Sequence, residues 1–130
     1  MARHNAAVYG VAHKIEFITG DFFEVIGTLG DQDVTCVFLS PPWGGPGYKE
    51  NEVLDIRHMI VDGAAAIAAA TEVSPNVAAF MPKNSNVAQL VALGGLLAQG
   101  GGGRVEVEKN LLNGLLKAVT VYYGPLYAEQ

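Results

Sequence analysis

A lone cysteine, Cys36, rules out any disulfide within the chain, so packing must hold the fold together and a reducing compartment is expected. Cys36 lies inside the apolar run Val34–Leu39 and is expected as a small buried core residue. Positive charge is scarce: eight Lys and Arg stand against thirteen Asp and Glu, a formal charge of −5. That balance argues against wrapping an extended phosphate backbone and leaves room only for a local nucleic-acid contact. Long apolar runs are missing too. No stretch approaches the ~18 uninterrupted residues of a membrane helix, and the N-terminus lacks the basic-then-apolar pattern of a leader. A soluble, intracellular chain with no membrane partner is expected. The three histidines, His4, His13 and His58, fall at no ligand spacing with Cys36 or with paired carboxylates, and no metal is expected.

What is present is enough apolar material for one core: half of the 130 residues are hydrophobic and 16% are charged. Ala2–Tyr9 reads as the last turns of a helix stopped by Gly10. Lys14–Thr19, rich in β-branched and aromatic residues, reads as a strand, and Phe22–Leu29 as a short helix before Gly30. The run Val34–Leu39 suggests a strand covered on both faces, hence a parallel sheet. Trp43 to about Arg57 is expected as an irregular, functional loop. Asp62 can cap a helix from Gly63 to about Glu72, ended by Ser74-Pro75-Asn76. Val77–Met81 is the next buried strand. Asn84 or Ser85 can cap a helix reaching Leu93, with Gly94-Gly95 as its stop. After the flexible glycines Gly100–Gly103, strands at about Arg104–Lys109 and Leu116–Tyr123 flank Asn113-Gly114, a hairpin turn signal. No internal repeat and no second domain emerge.

The most informative stretch runs from Val37 through Ser40-Pro41-Pro42-Trp43-Gly44-Gly45 to Pro46, at the exit of an apolar strand. Ligands of open α/β sheets sit beyond the carboxyl ends of strands, and prolines with fixed φ make that exit rigid. The Ser40 hydroxyl and the Ser40 or Pro41 carbonyl can accept hydrogen bonds from an amino group, while the lone tryptophan can cover the face of a planar ring. The pattern suits a planar base with an exocyclic amine.

Together with Asn5, Tyr9-Gly10, Lys14-Ile15-Glu16-Phe17, Gly20-Asp21-Phe22, Asp55-Ile56-Arg57, Met81-Pro82-Lys83-Asn84 and Glu106-Val107-Glu108, this motif resembles the RNA cap guanine-N2 methyltransferases, the trimethylguanosine synthase family. The resemblance covers nearly the whole chain. It implies an α/β, Rossmann-like class I methyltransferase fold of strand order 3-2-1-4-5-7-6, ending in an antiparallel hairpin. The implied reaction moves a methyl group from S-adenosyl-L-methionine to N2 of the 7-methylguanosine cap of RNA, in the nucleus or nucleolus. By the same resemblance Trp43 stacks on the methylated base, where the positive charge adds a cation–π contribution of roughly 0.5–2 kcal/mol. Ser40 and Pro41 face the reacting amine and Asn5 touches the base. Lys83 stands where an arginine commonly binds the cap phosphates, keeping the charge but losing the bidentate fork. Asp21 and Phe22 fall at the cofactor's adenine.

The family's cofactor site also uses a first strand with a Gly-rich loop and a second strand ending in an acidic residue, and neither pattern occurs in these 130 residues. Gly100–Gly103 do not substitute, because they follow a helix and precede a strand. Residues 1–130 are therefore expected as one partial methyltransferase domain, truncated and inactive alone, with open sheet edges prone to self-association. The alternatives are a non-catalytic cap-binding module derived from the family, or an amino-methyltransferase acting on adenine N6 or glutamine.

Overall fold

The computed structural model describes residues 1–45, 47, 52–97 and 103–125. Pro46 and residues 100–102 of the glycine run, both singled out above, lie outside them. Four strands form one sheet: β1 (Val37–Leu39), β2 (Val77–Pro82), β3 (Val105–Leu112) and β4 (Leu115–Tyr123), in the order β1-β2-β4-β3. β1 and β2 run parallel, and both contacts of β4 are antiparallel. That order and polarity coincide with the last four strands of 3-2-1-4-5-7-6.

The parallel pair needs a crossover. α3 (Gly63–Val73) provides it, and its first turn is secured where the Ala65 amide donates to the Asp62 carboxylate at 3.0 Å. Ala66 and Ala70 are buried on it; their small side chains let the helix lie close to the sheet. With Ile67 and with Leu90 of α4 (Val87–Leu97), they close over Leu39, Val77, Ala79, Met81, Val119 and Val121. The alternate strand positions, Phe38, Ala78, Phe80 and Thr120, belong to the other face. The hairpin turns on Asn113 (φ 52°) and Gly114 (φ 74°), the paired positive φ values of a two-residue turn suited to strand twist. Two short helices precede β1: α1 (Ala2–Val8) and α2 (Phe22–Gly27). No helix among the described residues is long and apolar enough to cross a membrane.

Several expectations need correcting. Lys14–Thr19 is not a strand: after a 3-10 turn at Ala12–Lys14 it runs without a ladder. A strand exists only beside a partner, and here the Phe17 carbonyl accepts instead from the Arg3 guanidinium at 2.8 Å. The run Val34–Leu39 forms a strand only at its last three residues, and Phe38 is 65% exposed, so β1 is not covered on both faces. Cys36 precedes the short strand and is exposed, not a core residue. α4 is capped by Asn86, whose side-chain oxygen accepts from Gln89 N at 3.2 Å, rather than by Asn84 or Ser85. It also continues through Gly94-Gly95. The reason is close packing on β3: a Cβ on Gly94 would lie 1.9 Å from Val105 Cγ2.

Candidate active site

Because β1 and β2 are parallel and in register at Leu39 and Ala79, their C-terminal exits open at the same end of the sheet. Ser40, Pro41 and Pro42 leave β1 there and wall a cavity of about 260 Å³. Phe22, from the first turn of α2, forms another wall, and Val61 and Ala66 close it from the side of α3. Three sequence-derived candidates, Phe22, Ser40 and Pro41, thus meet around one space. Ser40 is exposed at its rim and Pro41 is half-buried.

Trp43 follows directly. Its indole N–H donates to the Phe80 carbonyl of β2 at 3.4 Å, and the two rings lie 5.3 Å apart at 33°. Gly44 (φ 113°) and Gly45 (φ 64°) then turn the chain through backbone conformations that side-chain-bearing residues rarely adopt. Lys83 is exposed in the turn that leaves β2, at the same end of the sheet. A returning segment of the loop braces that turn: Leu54 N donates to Asn84 O at 2.7 Å, and Asn86 N donates to Leu54 O at 2.9 Å. Next to it, Ile56 N donates to Gln89 Oε1 at 3.1 Å. Arg57 donates to both oxygens of Asp55, at 2.9 and 2.5 Å, and this bonding holds the Asp55 carboxyl well below the usual carboxylate range.

The remaining candidates stand apart from the cavity. Asp21 is the N-cap of α2; its Oδ1 accepts from Phe23 N at 2.8 Å and from Glu24 N at 3.4 Å, so one carboxylate oxygen already has a structural task. Asn5 is exposed on α1 and is not part of the cavity lining. Sequence reasoning passed over Phe80, Val61 and Leu54. Phe80 sits inside an apolar strand run, where only the two-residue alternation marks it as facing away from the core.

The shared space suits a flat ring. Phe22 and the prolines offer apolar faces, and Ser40 offers a hydroxyl at the edge. Small-molecule sites usually enclose about 300–1,000 Å³, so this cavity of about 260 Å³ has room for a ring system and not for a whole nucleotide.

A family model described as RNA cap guanine-N2 methyltransferase matches residues 1–126. The trimethylguanosine synthase of Schizosaccharomyces pombe (strain 972 / ATCC 24843) is 32% identical over 128 residues, 95% of this chain and 52% of that protein. The trimethylguanosine synthase of Saccharomyces cerevisiae (strain ATCC 204508 / S288c) is 38% identical over 90 residues, 66% of this chain and 29% of that protein. The chain thus spans about half the length of the first of these relatives and less of the second.

Proposed function

This chain belongs to the RNA cap guanine-N2 methyltransferase family, and from that premise we propose that it presents the 7-methylguanosine cap of RNA for methylation at the exocyclic N2. The observation that carries this reading is the convergence of Ser40, Pro41 and Phe22 on one cavity; Trp43, next along the chain after Pro42, is not part of that lining and is anchored on β2 through the Phe80 carbonyl. Trp43 stacks on the cationic base. The Ser40 hydroxyl, with the Ser40 or Pro41 carbonyl, accepts hydrogen bonds from the amine and so turns its lone pair toward the incoming methyl carbon. Lys83 meets a cap phosphate, and Asn5 adds a base contact. S-adenosyl-L-methionine, when bound, supplies an electrophilic methyl group, and Phe22 with Asp21 holds its adenine end. Orienting the amine is the main catalytic contribution of these residues; proton loss follows to solvent.

The chain spans about half the length of the Schizosaccharomyces pombe relative, and in this reading it contributes the base-facing side of the catalytic site. The net charge of −5 favours capture of a cap over an extended duplex. The uncharged β1 edge favours self-association, and the family resemblance is the ground for proposing that the protein works in the nucleus or nucleolus.

Trp43 is the sole tryptophan, so its fluorescence reports the site directly. Titration with 7-methyl-GTP is expected to quench it, with unmethylated GTP quenching far less. Equal response to both nucleotides, or none, removes the cap assignment. Selective quenching by 7-methyl-GTP is shared with the second reading, a non-catalytic cap-binding module; methyl transfer by the full-length protein that falls on Ser40→Ala separates the two. Selective response to an adenine nucleotide would instead favour the adenine amino-methyltransferase alternative.

A further inference from the structure

We propose that Phe80 is the positioning residue for Trp43, so that strand β2, and not the loop alone, sets the plane of the indole; this rests on the base-stacking reading above and extends it to how the stacking surface is held. Two contacts of one residue converge on the tryptophan. The main-chain carbonyl of Phe80 accepts the indole N–H at 3.4 Å, and the phenyl ring lies tilted against the indole at 5.3 Å.

The strand ladder explains why that carbonyl is available. β1 ends at Leu39, opposite Ala79. Beyond it Pro41 and Pro42 have no N–H to give. Phe80 is one residue past the end of the β1–β2 pairing, and a carbonyl left there without a donor is costly. The indole N–H takes the place of the missing main-chain donor, which extends the ladder by one side-chain rung. An indole meets both demands, a ring for stacking and an N–H for the strand; a phenylalanine at position 43 would meet only the first.

The ring of Phe80 adds orientation. Its neighbour across the sheet is Thr120 of β4, so its backbone is fixed on that side by a nine-residue strand. A tilted aromatic pair is directional. Trp43 is therefore braced from a regular element, while Gly44 and Gly45 on its other side supply a turn.

The test uses the whole chain with Phe80→Leu, Phe80→Met and Phe80→Tyr, comparing far-UV circular dichroism and cooperative melting first, and reading whichever aliphatic variant keeps both. In that variant the anisotropy of the ligand-free indole and its near-UV dichroism should fall, and 7-methyl-GTP should bind about tenfold more weakly. Phe80→Tyr should restore both signals, which loss of general packing would not predict. In the unsubstituted chain the indole N–H should exchange slowly with solvent. Unchanged anisotropy in the aliphatic variant, or fast indole exchange in the unsubstituted chain, overturns the proposal. If the indole is freed by the substitution while 7-methyl-GTP never quenches the unsubstituted chain, the positioning stands and the base-stacking reading falls. If quenching is selective and identical with and without the Phe80 ring, the reading stands and the positioning falls.

Discussion

Tyr123 shows how one side chain joins sheet to helix. Its hydroxyl donates to the Leu90 carbonyl at 2.9 Å, and burial pushes the phenol well above its ordinary value. The unfolded chain gives up this proton near pH ~10 while the folded chain keeps it, so stability is full below that pH and falls as pH rises beyond it. Tyr123→Phe should flatten the alkaline decline and cost roughly 1 kcal/mol at neutral pH through the lost hydrogen bond, as read by urea denaturation at neutral and alkaline pH. Residue-scale features differed in how visible they were beforehand. The strand exit at Ser40 and Pro41, which the structure places on the cavity wall, could be read because two successive prolines followed by tryptophan and glycines are chemically unusual after an apolar run. Asp21 could be read two ways, and the structure realises its helix-capping use. Phe80 was hidden, because an aromatic in a buried strand looks the same whether it fills a core or braces a neighbour.

Among the elements, those with local signals were the readable ones. Asp62 begins α3 and Asn113-Gly114 turns the hairpin, each through a few adjacent residues. Elements decided by distant neighbours were not readable. Lys14–Thr19 has strand composition without a strand beside it, and Gly94-Gly95 looks like a stop until β3 is seen lying against α4. That contact gives a direct test. Gly94→Ala improves intrinsic helix propensity by about 1 kcal/mol, yet its methyl group would fall on Val105, and overpacking of this kind costs roughly 1–3 kcal/mol. Net destabilisation in urea is expected, and a stabilised variant would mean that α4 does not pack on β3 as described.

At the scale of the whole molecule, the two borders of the sheet are unlike. β3 carries Glu106, Glu108 and Lys109 along its length, charges that discourage pairing with another chain. β1 presents Val37, Phe38 and Leu39 with no charge, and Phe38 is 65% exposed. Sedimentation velocity is expected to show concentration-dependent association, reduced by Phe38→Lys. A single monomeric species across the concentration range, before any substitution, would remove the proposed self-association. The sheet order was accessible from the family resemblance, whereas the uncovered face of β1 was not, because a six-residue apolar run reads as buried until its pairing is known.

The rung at Leu54 has a mechanical consequence. It bonds to Asn84 and Asn86 with its own main chain, so the turn bearing Lys83 is held from two sides, by the strand that precedes it and by a residue returning from the loop. Because those bonds run main chain to main chain, Leu54→Ala would forfeit packing of a buried side chain while leaving the turn's hydrogen bonds in place.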